Sequence, residues 1–256
     1  MALYMNSIIF CILTLVCNLQ GGPTLVAKFG SPECPWSEQL KKEVWHSPTF
    51  NILLEAEGIE KDEVAPTTED RNLPVFTLFS SEGDEIGSLG FLLITPENYV
   101  DLFKEMIVIH KLCFSKTELS TEQRLHFYRK AELLHMTACE EKLMQEGLAQ
   151  DKGVDFLIEQ YAKVVKDHPR RAHKIKQEIR LRMPDDAATE WSLAVISFQA
   201  KRDNLDHQSQ IVQPLEKFLR DYGIDQNYAW KCHLVLSEFY KENNQLEKSK
   251  QHAQRA

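Results

Sequence analysis

The sequence predicts an α/β domain followed by an all-α domain. Residues 24–100 hold six proline and five glycine residues, whereas residues 101–256 hold three of each over about twice the length. Apolar residues alternate with period two in parts of the first segment and recur at helical spacing in the second. A turn-rich domain with short strands therefore gives way to long helices near residue 100.

The composition indicates an ordinary globular protein. A chain of 256 residues has the length of roughly two domains, and its 43% hydrophobic and 27% charged residues exclude a largely disordered chain, a collagen-like repeat and a small disulfide-stapled scaffold. The net charge is −8, from 30 basic and 38 acidic residues. Because no basic excess is available to neutralise phosphates, we expect no nucleic-acid partner.

Residues 8–17 form the longest apolar run of the chain. The run is shorter than the roughly 20 residues of a membrane-spanning helix and has the length of a signal-peptide core. The small residues Gly21 and Gly22 follow it, although no Lys or Arg precedes it. We expect residues 1–22 to be a signal peptide, and the rest to be exported to a periplasm, the ER lumen or the cell exterior without a transmembrane span. The alternative is a buried first strand in a cytoplasmic protein.

The elements of the first domain follow from local signals. Thr24–Phe29 is predicted as a strand because its apolar residues alternate. Proline suits the first helical turn, where its missing N–H has no intrahelical acceptor, so helices are predicted from Pro35 to about Val44 and from Pro48 onwards. A β-hairpin is predicted over Val75–Leu89, followed by a helix from Pro96 to about His110.

One segment of this domain combines residues that carry chemistry. Cys34 lies between the first strand and the helix that begins at Pro35. A thiol at a helix N-terminus faces unpaired backbone N–H groups and the positive end of the helix dipole, which lowers its pKa. The resulting thiolate is the nucleophile in disulfide exchange. Forty residues further on, Leu73-Pro74 precedes the hairpin, and this X–Pro bond is a candidate for a cis peptide.

The order of a strand, the segment Cys34–Ser37, a helix, Leu73-Pro74, a hairpin and a last helix resembles the thioredoxin superfamily. The resemblance covers residues 24–112 and is closest to exported thioredoxin-like domains with a Cys-x-x-Ser motif. It implies thiol–disulfide exchange at Cys34. It also implies that client peptides contact four residues around the motif: Pro35, Trp36, Leu73 and Pro74.

The sequence departs from the family at two positions near the cysteine. Ser37 stands where thioredoxins have a second Cys, and Lys28 stands where they bury an acid. A second Cys normally clears a mixed disulfide, and a serine cannot attack a disulfide. We expect Lys28 to stabilise the Cys34 thiolate and Ser37 to donate a hydrogen bond to it. Cys34 would then hold a bound partner until another thiol releases it.

The sequence also predicts that the thioredoxin-like fold is trimmed. The strand and helix that normally precede the first strand would have to lie within the predicted signal segment. The helix expected before Leu73-Pro74 is short or missing, because the stretch from Gly58 to Asn72 contains Pro66.

The second half is predicted to be helical from Ser120 almost to the end. Apolar stripes at helical spacing run through Phe127–Ala138, Val154–Val165 and Ile211–Tyr222. Similar residues recur 34 residues apart, which is the tetratricopeptide period, but the phase of the repeat breaks, so an irregular helical bundle is the alternative. The predicted domains are therefore residues 23–114, thioredoxin-like, and 115–256, tetratricopeptide-like, with grooves that suit peptides or proteins.

These observations lead to two main hypotheses. The first is a monothiol protein that forms mixed disulfides with client proteins, in the service of redox protein folding. The second is a non-catalytic adaptor in which Cys34 is a small buried residue. A thiol peroxidase or transferase that uses an external thiol is a third possibility. The remaining cysteines, Cys113, Cys139 and Cys232, show no C-x-x-C spacing, so we expect no metal and no cofactor, and the sequence leaves both their pairing and the oligomeric state open.

Overall fold

The computed structural model describes residues 21–68, 70, 73–150, 153–223 and 226–256. The predicted signal peptide lies outside these residues except for Gly21 and Gly22, as do the strand and helix expected before the first strand. The chain forms two compact units, one ending at Gly147 and one running from Leu148 to Ala256. The predicted domain ranges 23–114 and 115–256 stay a prediction.

The first unit contains a four-stranded sheet with the strand order β2-β1-β3-β4. Strand β1 pairs in parallel with β2 and antiparallel with β3, and β3 pairs antiparallel with β4. Along β1 and β3, buried side chains alternate with half-buried ones, as the predicted alternation requires. The strands are β1 Thr24–Lys28, β2 Glu60–Glu63, β3 Val75–Phe79 and β4 Glu85–Gly90.

Five helices accompany this sheet within the described part of the unit. The helices predicted from their prolines begin at Pro35, Pro48 and Pro96, as expected. The first continues beyond Leu40 as a π-helical turn, Lys41–Trp45. The helices are α1 Pro35–Leu40, α2 Pro48–Ala56, α3 Pro96–Phe114, α4 Thr121–Leu133 and α5 Thr137–Leu148. With the parallel β1-β2 pair, the antiparallel hairpin and the last helix packed on it, the fold of β1 to α3 is thioredoxin-like.

An aromatic cluster centred on Phe76 holds these elements together. The Phe76 ring is fully buried and lies 5.5–6.1 Å, between ring centroids, from the rings of four residues on the π-helical turn, α2 and α3: Trp45, Phe50, Tyr99 and Phe103. Burial of aromatic side chains is favourable, and such ring pairs add about 0.5–1.5 kcal/mol each. The cluster therefore fixes the helices after the cysteine against the centre of the sheet.

Strand β2 is the element that the sequence did not predict. All four of its residues, Glu60–Glu63, are exposed, so no hydrophobic alternation marks it. Besides its ladder with β1, the strand is held by Trp45, whose ring nitrogen donates to Glu63 at 3.0 Å. The Lys61 ammonium donates to the Trp45 carbonyl at 2.8 Å and lies 4.3 Å from the centre of its ring. The described residues 64–68 and 70 contain no helix, which agrees with the expected loss of that helix.

The connection between α4 and α5 packs against strand β4. The Ser88 N–H donates to the carbonyl of Leu134 at 3.3 Å, and His135 adopts a positive φ of 50°. The predicted continuous stripe Phe127–Ala138 is therefore wrong. The chain turns between α4 and α5, because the apolar residues on either side of the turn both pack inwards.

The second unit consists of three consecutive helix pairs in its described part. The helices of this unit begin and end at or near the breaks that the sequence predicts, which are Gly147–Gly153, His168-Pro169, Pro184–Asp186, Asp203–His207 and Tyr222–Asp225. Helices α6, α8 and α10 begin at residues 154, 187 and 226, so their spacing is not constant, and the tetratricopeptide likeness stays a prediction. The helices are α6 Val154–Val164, α7 Pro169–Arg182, α8 Ala187–Asp203, α9 Gln208–Tyr222, α10 Gln226–Glu242 and α11 Leu246–Ala253.

Across the described ranges, none of the helices combines the length and the apolar character that crossing a bilayer requires.

The contact between β4 and the α4–α5 turn leaves no room for a side chain at Gly87. A Cβ atom there would lie 2.6 Å from Met106 Cε and 2.8 Å from the Leu134 carbonyl oxygen, whereas one on Gly90, in the same strand, would meet nothing closer than 3.9 Å. We therefore expect Gly87→Ala to lower the free energy of unfolding by about 1–3 kcal/mol. Gly90→Ala is the matched control, and equal urea midpoints for the two variants would contradict the packing described here.

Candidate active site around Cys34

Cys34 lies where strand β1 gives way to helix α1. It occupies the N-cap position of α1 with an extended backbone, at φ −79° and ψ 108°. Its N–H donates to the Ser31 carbonyl at 2.9 Å, and its own carbonyl accepts from the Glu38 N–H at 3.1 Å. The side chain is partly exposed. The sulfur is therefore held at the start of the helix and remains accessible to solvent.

The Ser37 side chain connects the cysteine to the end of β1. It is buried, and its oxygen accepts a hydrogen bond from the Gly30 N–H at 2.8 Å. Its hydroxyl donates to the Cys34 sulfur, and this bond is the main reason that the pKa of Cys34 lies below its usual value. The backbone N–H groups of Ser37 and Trp36 lower the pKa further, while partial desolvation opposes them. Hydrogen bonds to the charged form favour the thiolate.

Lys28 pairs with a residue that was not predicted to belong to the site. Its ammonium forms an ion pair with Asp70 at 2.8 Å. That contact, together with hydrogen bonds from Thr67, lowers the pKa of Asp70 to about 2. The groups that lower the pKa of Cys34 are on Ser37 and Trp36. The stabilisation of the thiolate by Lys28 therefore stays a prediction.

The Leu73-Pro74 segment lies beside the cysteine. Its peptide bond is cis, as predicted. A Cβ atom on Gly30 would lie 3.5 Å from Cys34 Cβ and 3.6 Å from Leu73 Cβ, so the cysteine and the proline loop approach the same backbone position. The same Cβ atom would lie 3.1 Å from the Ser37 hydroxyl oxygen, a tight approach that would require a small shift of Ser37. Leu73 is half-buried and Pro74 is buried.

An exposed apolar surface adjoins the cysteine, and we call it the apolar rim. Trp36 is 53% exposed, and its ring centroid lies 5.0 Å from that of Phe91. Leu93 in the same loop is 80% exposed. The rim consists of Trp36, Phe91, Leu92 and Leu93. This loop was not among the predicted site residues, although the sequence carries a signal for it in four consecutive apolar residues, Phe91–Ile94, outside any predicted strand.

A groove of about 510 Å³ lies between this loop and the helix that follows the cysteine. The helix contributes Gln39, Leu40, Glu43 and Val44 to its walls, and the loop contributes Phe91 through Pro96. The groove is mainly apolar, with few polar groups. Cys34 does not line the groove, which lies further along the same helix and shares the Phe91 loop with the apolar rim.

Within the described ranges, no three His, Cys, Asp or Glu side chains are grouped so that they would hold a metal ion. The chemistry that the described site supports is that of the thiolate and of the hydrogen bonds around it.

Comparison with known proteins finds similarity to a thioredoxin-related protein. No family model matches the chain. The thioredoxin-related protein is DsbJ of Chlamydia pneumoniae, which is 25% identical over 265 residues, covering 91% of this chain and 76% of the relative. A solved DsbH oxidoreductase matches 34% of this chain and 74% of its own at 16% identity, with a TM-score of 0.31.

The hydrogen bond from the Ser37 hydroxyl to the Cys34 sulfur can be tested by substitution. We expect Ser37→Ala to raise the pKa of Cys34 towards the ordinary thiol value of about 8.5, because the largest favourable contact with the thiolate is removed. The measurement is the pH dependence of iodoacetamide alkylation, followed by mass spectrometry of the peptide that contains Cys34. Ser31→Ala, on the exposed turn before the cysteine, is the control. Overlapping profiles for Ser37→Ala and the wild type would refute the role of the hydroxyl.

Proposed function

We propose that the protein is a thioredoxin-like monothiol that forms mixed disulfides with protein clients through Cys34. The observation that carries this proposal is the partly exposed Cys34 sulfur, which accepts hydrogen bonds from the hydroxyl and N–H of Ser37. A thiolate in this setting is a nucleophile. The motif contains no second thiol that could displace a bound client. The similarity to a protein named as thioredoxin-related supports the assignment to thiol–disulfide chemistry.

The proposed reaction begins with attack of the Cys34 thiolate on one sulfur of a client disulfide. The bond between Cys34 and that sulfur forms, the client disulfide breaks, and the other client sulfur leaves as a thiolate that takes up a proton. Ser37 stabilises the attacking thiolate before the reaction, but its hydroxyl cannot displace the client afterwards. Release therefore needs a second thiol, supplied by the client itself or by an external reductant.

The apolar rim gives this reaction a preference for polypeptide clients. Side chains as exposed as Trp36 and Leu93 are unusual next to a reactive cysteine unless they contact a partner. We infer that the rim and the groove beside it hold an extended apolar segment of the client, with the backbone of Leu73 lying along the segment. Such segments are exposed in unfolded or incompletely oxidised proteins, which are the clients expected for redox folding.

The predicted signal segment supports an activity outside the cytoplasm. Disulfides persist in oxidising compartments and are rare in the cytosol. A protein that holds clients through a mixed disulfide needs such a compartment. We therefore propose that the protein is exported, and that the helix pairs of the second unit provide additional contacts to clients.

The second candidate is an adaptor that binds through the same surfaces without chemistry. The observation that favours it is the serine at position 37, which deprives the motif of the thiol that would complete a catalytic cycle. The two candidates differ in whether Cys34 is needed for capture.

Capture through Cys34 can be measured with a peptide that carries one activated disulfide. We expect the wild type to form a stable adduct, visible on a non-reducing gel, and Cys34→Ser to form none. Ser37→Cys should release the peptide and gain an internal disulfide, because the second thiol would lie beside the mixed disulfide. Glu38→Cys, with the new thiol on an exposed position of the same helix, is the control that should not release it. Absence of an adduct with the wild type, together with equal non-covalent binding of the peptide by the wild type and Cys34→Ser, would favour the adaptor.

The role of the apolar rim is separable from that of the sulfur. We expect Leu93→Ser to slow adduct formation with an apolar peptide by about tenfold, since partial burial of one leucine contributes on the order of 1.4 kcal/mol. The rate with a small disulfide reagent should not change. Leu181→Ser, which alters a leucine 83% exposed on α7, is the matched control. A uniform loss with both reagents would mean that Leu93 acts on the thiolate rather than on the client.

A further inference from the structure

Two cysteines of the first unit meet in its interior, away from the Cys34 site. Cys113 lies in the last turn of α3 and is 5% exposed, and Cys139 lies in the first turn of α5 and is 1% exposed. The Cys139 thiol donates a hydrogen bond to the Cys113 sulfur. This bond lowers the pKa of Cys113, which accepts it, and raises that of Cys139, which donates it.

The packing around the two thiols holds the helices in contact at this point. The Lys142 ammonium, one turn after Cys139, lies 4.8 Å from the centre of the Phe114 ring, next to Cys113. The turn before α5 is anchored to β4 by the bond from Ser88 to Leu134. The end of α3 and the start of α5 are therefore in contact beside the two cysteines.

We propose that Cys113 and Cys139 form a structural disulfide in the exported protein, joining the end of α3 to the start of α5. The proposal does not involve Cys34 and so stands apart from the proposed function, although it shares the expectation of an oxidising compartment. A disulfide of this kind closes a loop that contains the whole of α4. It therefore restricts the unfolded chain and holds the α4–α5 hairpin on the sheet.

The oxidation needs a disulfide-containing oxidant, such as oxidised glutathione. One cysteine thiolate attacks the oxidant, so that a mixed disulfide forms and one oxidant thiol leaves. The second cysteine then loses its proton and attacks the sulfur of the first, and the other oxidant thiol leaves. One Cys113–Cys139 bond is formed, one oxidant disulfide is reduced, and two thiols carry away the two hydrogen atoms. Both cysteines are buried in the folded chain, so the exchange takes place during folding, before α5 covers them.

Cys232 provides a matched comparison within the same chain. It is also fully buried, but its thiol donates to the Leu215 carbonyl at 3.4 Å. Burial raises the pKa of Cys232 to about 12. The proposal therefore assigns one disulfide to the pair in the first unit and leaves Cys232 reduced.

Peptide mapping tests the assignment directly. The full chain is refolded in a mixture of reduced and oxidised glutathione, alkylated in denaturant and digested without reductant. We expect a linked peptide containing Cys113 and Cys139, two hydrogen atoms lighter than its separate parts, and an alkylated Cys232. Recovery of Cys113 and Cys139 in alkylated form from folded, glutathione-treated protein would overturn the proposal.

Thermal unfolding with and without reductant supplies a second measurement. Dithiothreitol should lower the Tm of the wild type by about 5–15 °C. It should lower the Tm of Cys232→Ala and of Cys34→Ser by the same amount, and leave the Cys113→Ala/Cys139→Ala double variant unchanged. If the double variant does not fold, the reductant effect in the other three proteins still decides, and no effect there would refute the bond. Because Cys34→Ser retains the linked peptide, the test is independent of client capture.

Discussion

The hydroxyl of Ser37 is the contact on which the site depends. It accepts from the Gly30 N–H at the end of β1 and donates to the Cys34 sulfur at the start of α1, so one buried side chain joins the strand, the helix and the nucleophile. A hydroxyl can do both because it carries one donor and two acceptor positions. The position at which the motif lacks a second thiol therefore still stabilises the first. In the proposed function, Cys34 therefore captures a client disulfide and relies on a thiol from elsewhere for its release.

The aromatic cluster around Phe76 holds the elements that surround this contact in place. Its rings fasten the π-helical turn, α2 and α3 to the central strands, so the chain segments on either side of the site cannot shift independently. Close packing of this kind transmits small displacements, and a side chain at Gly30, where the cysteine and the proline loop converge, would crowd the Ser37 hydroxyl. The apolar rim, in contrast to the aromatic cluster, is exposed to solvent, and its Trp36 lies two residues from Cys34.

The cysteines illustrate how strongly the surroundings decide the chemistry of a single residue type. Hydrogen-bond donors lower the pKa of Cys34 at a partly exposed helix start, while burial in an apolar core raises that of Cys232. The hydrogen bond between Cys113 and Cys139 lowers the pKa of the first and raises that of the second. The spacing of these residues along the chain distinguishes none of the three environments.

The sequence alone determined the features that follow local rules. Proline at a first helical turn, alternation in β1 and β3, the helix breaks of the second unit and the position of Cys34 before a helix all depend on neighbours a few residues away. Tertiary structure decided the rest: the pairing of the fully exposed β2, the ion pair of Lys28 with Asp70, the approach of the Phe91 loop to Trp36 and the meeting of two cysteines from separate helices. These contacts join residues far apart in the chain, and the free energy that selects them comes from packing and charge pairing that no local pattern records.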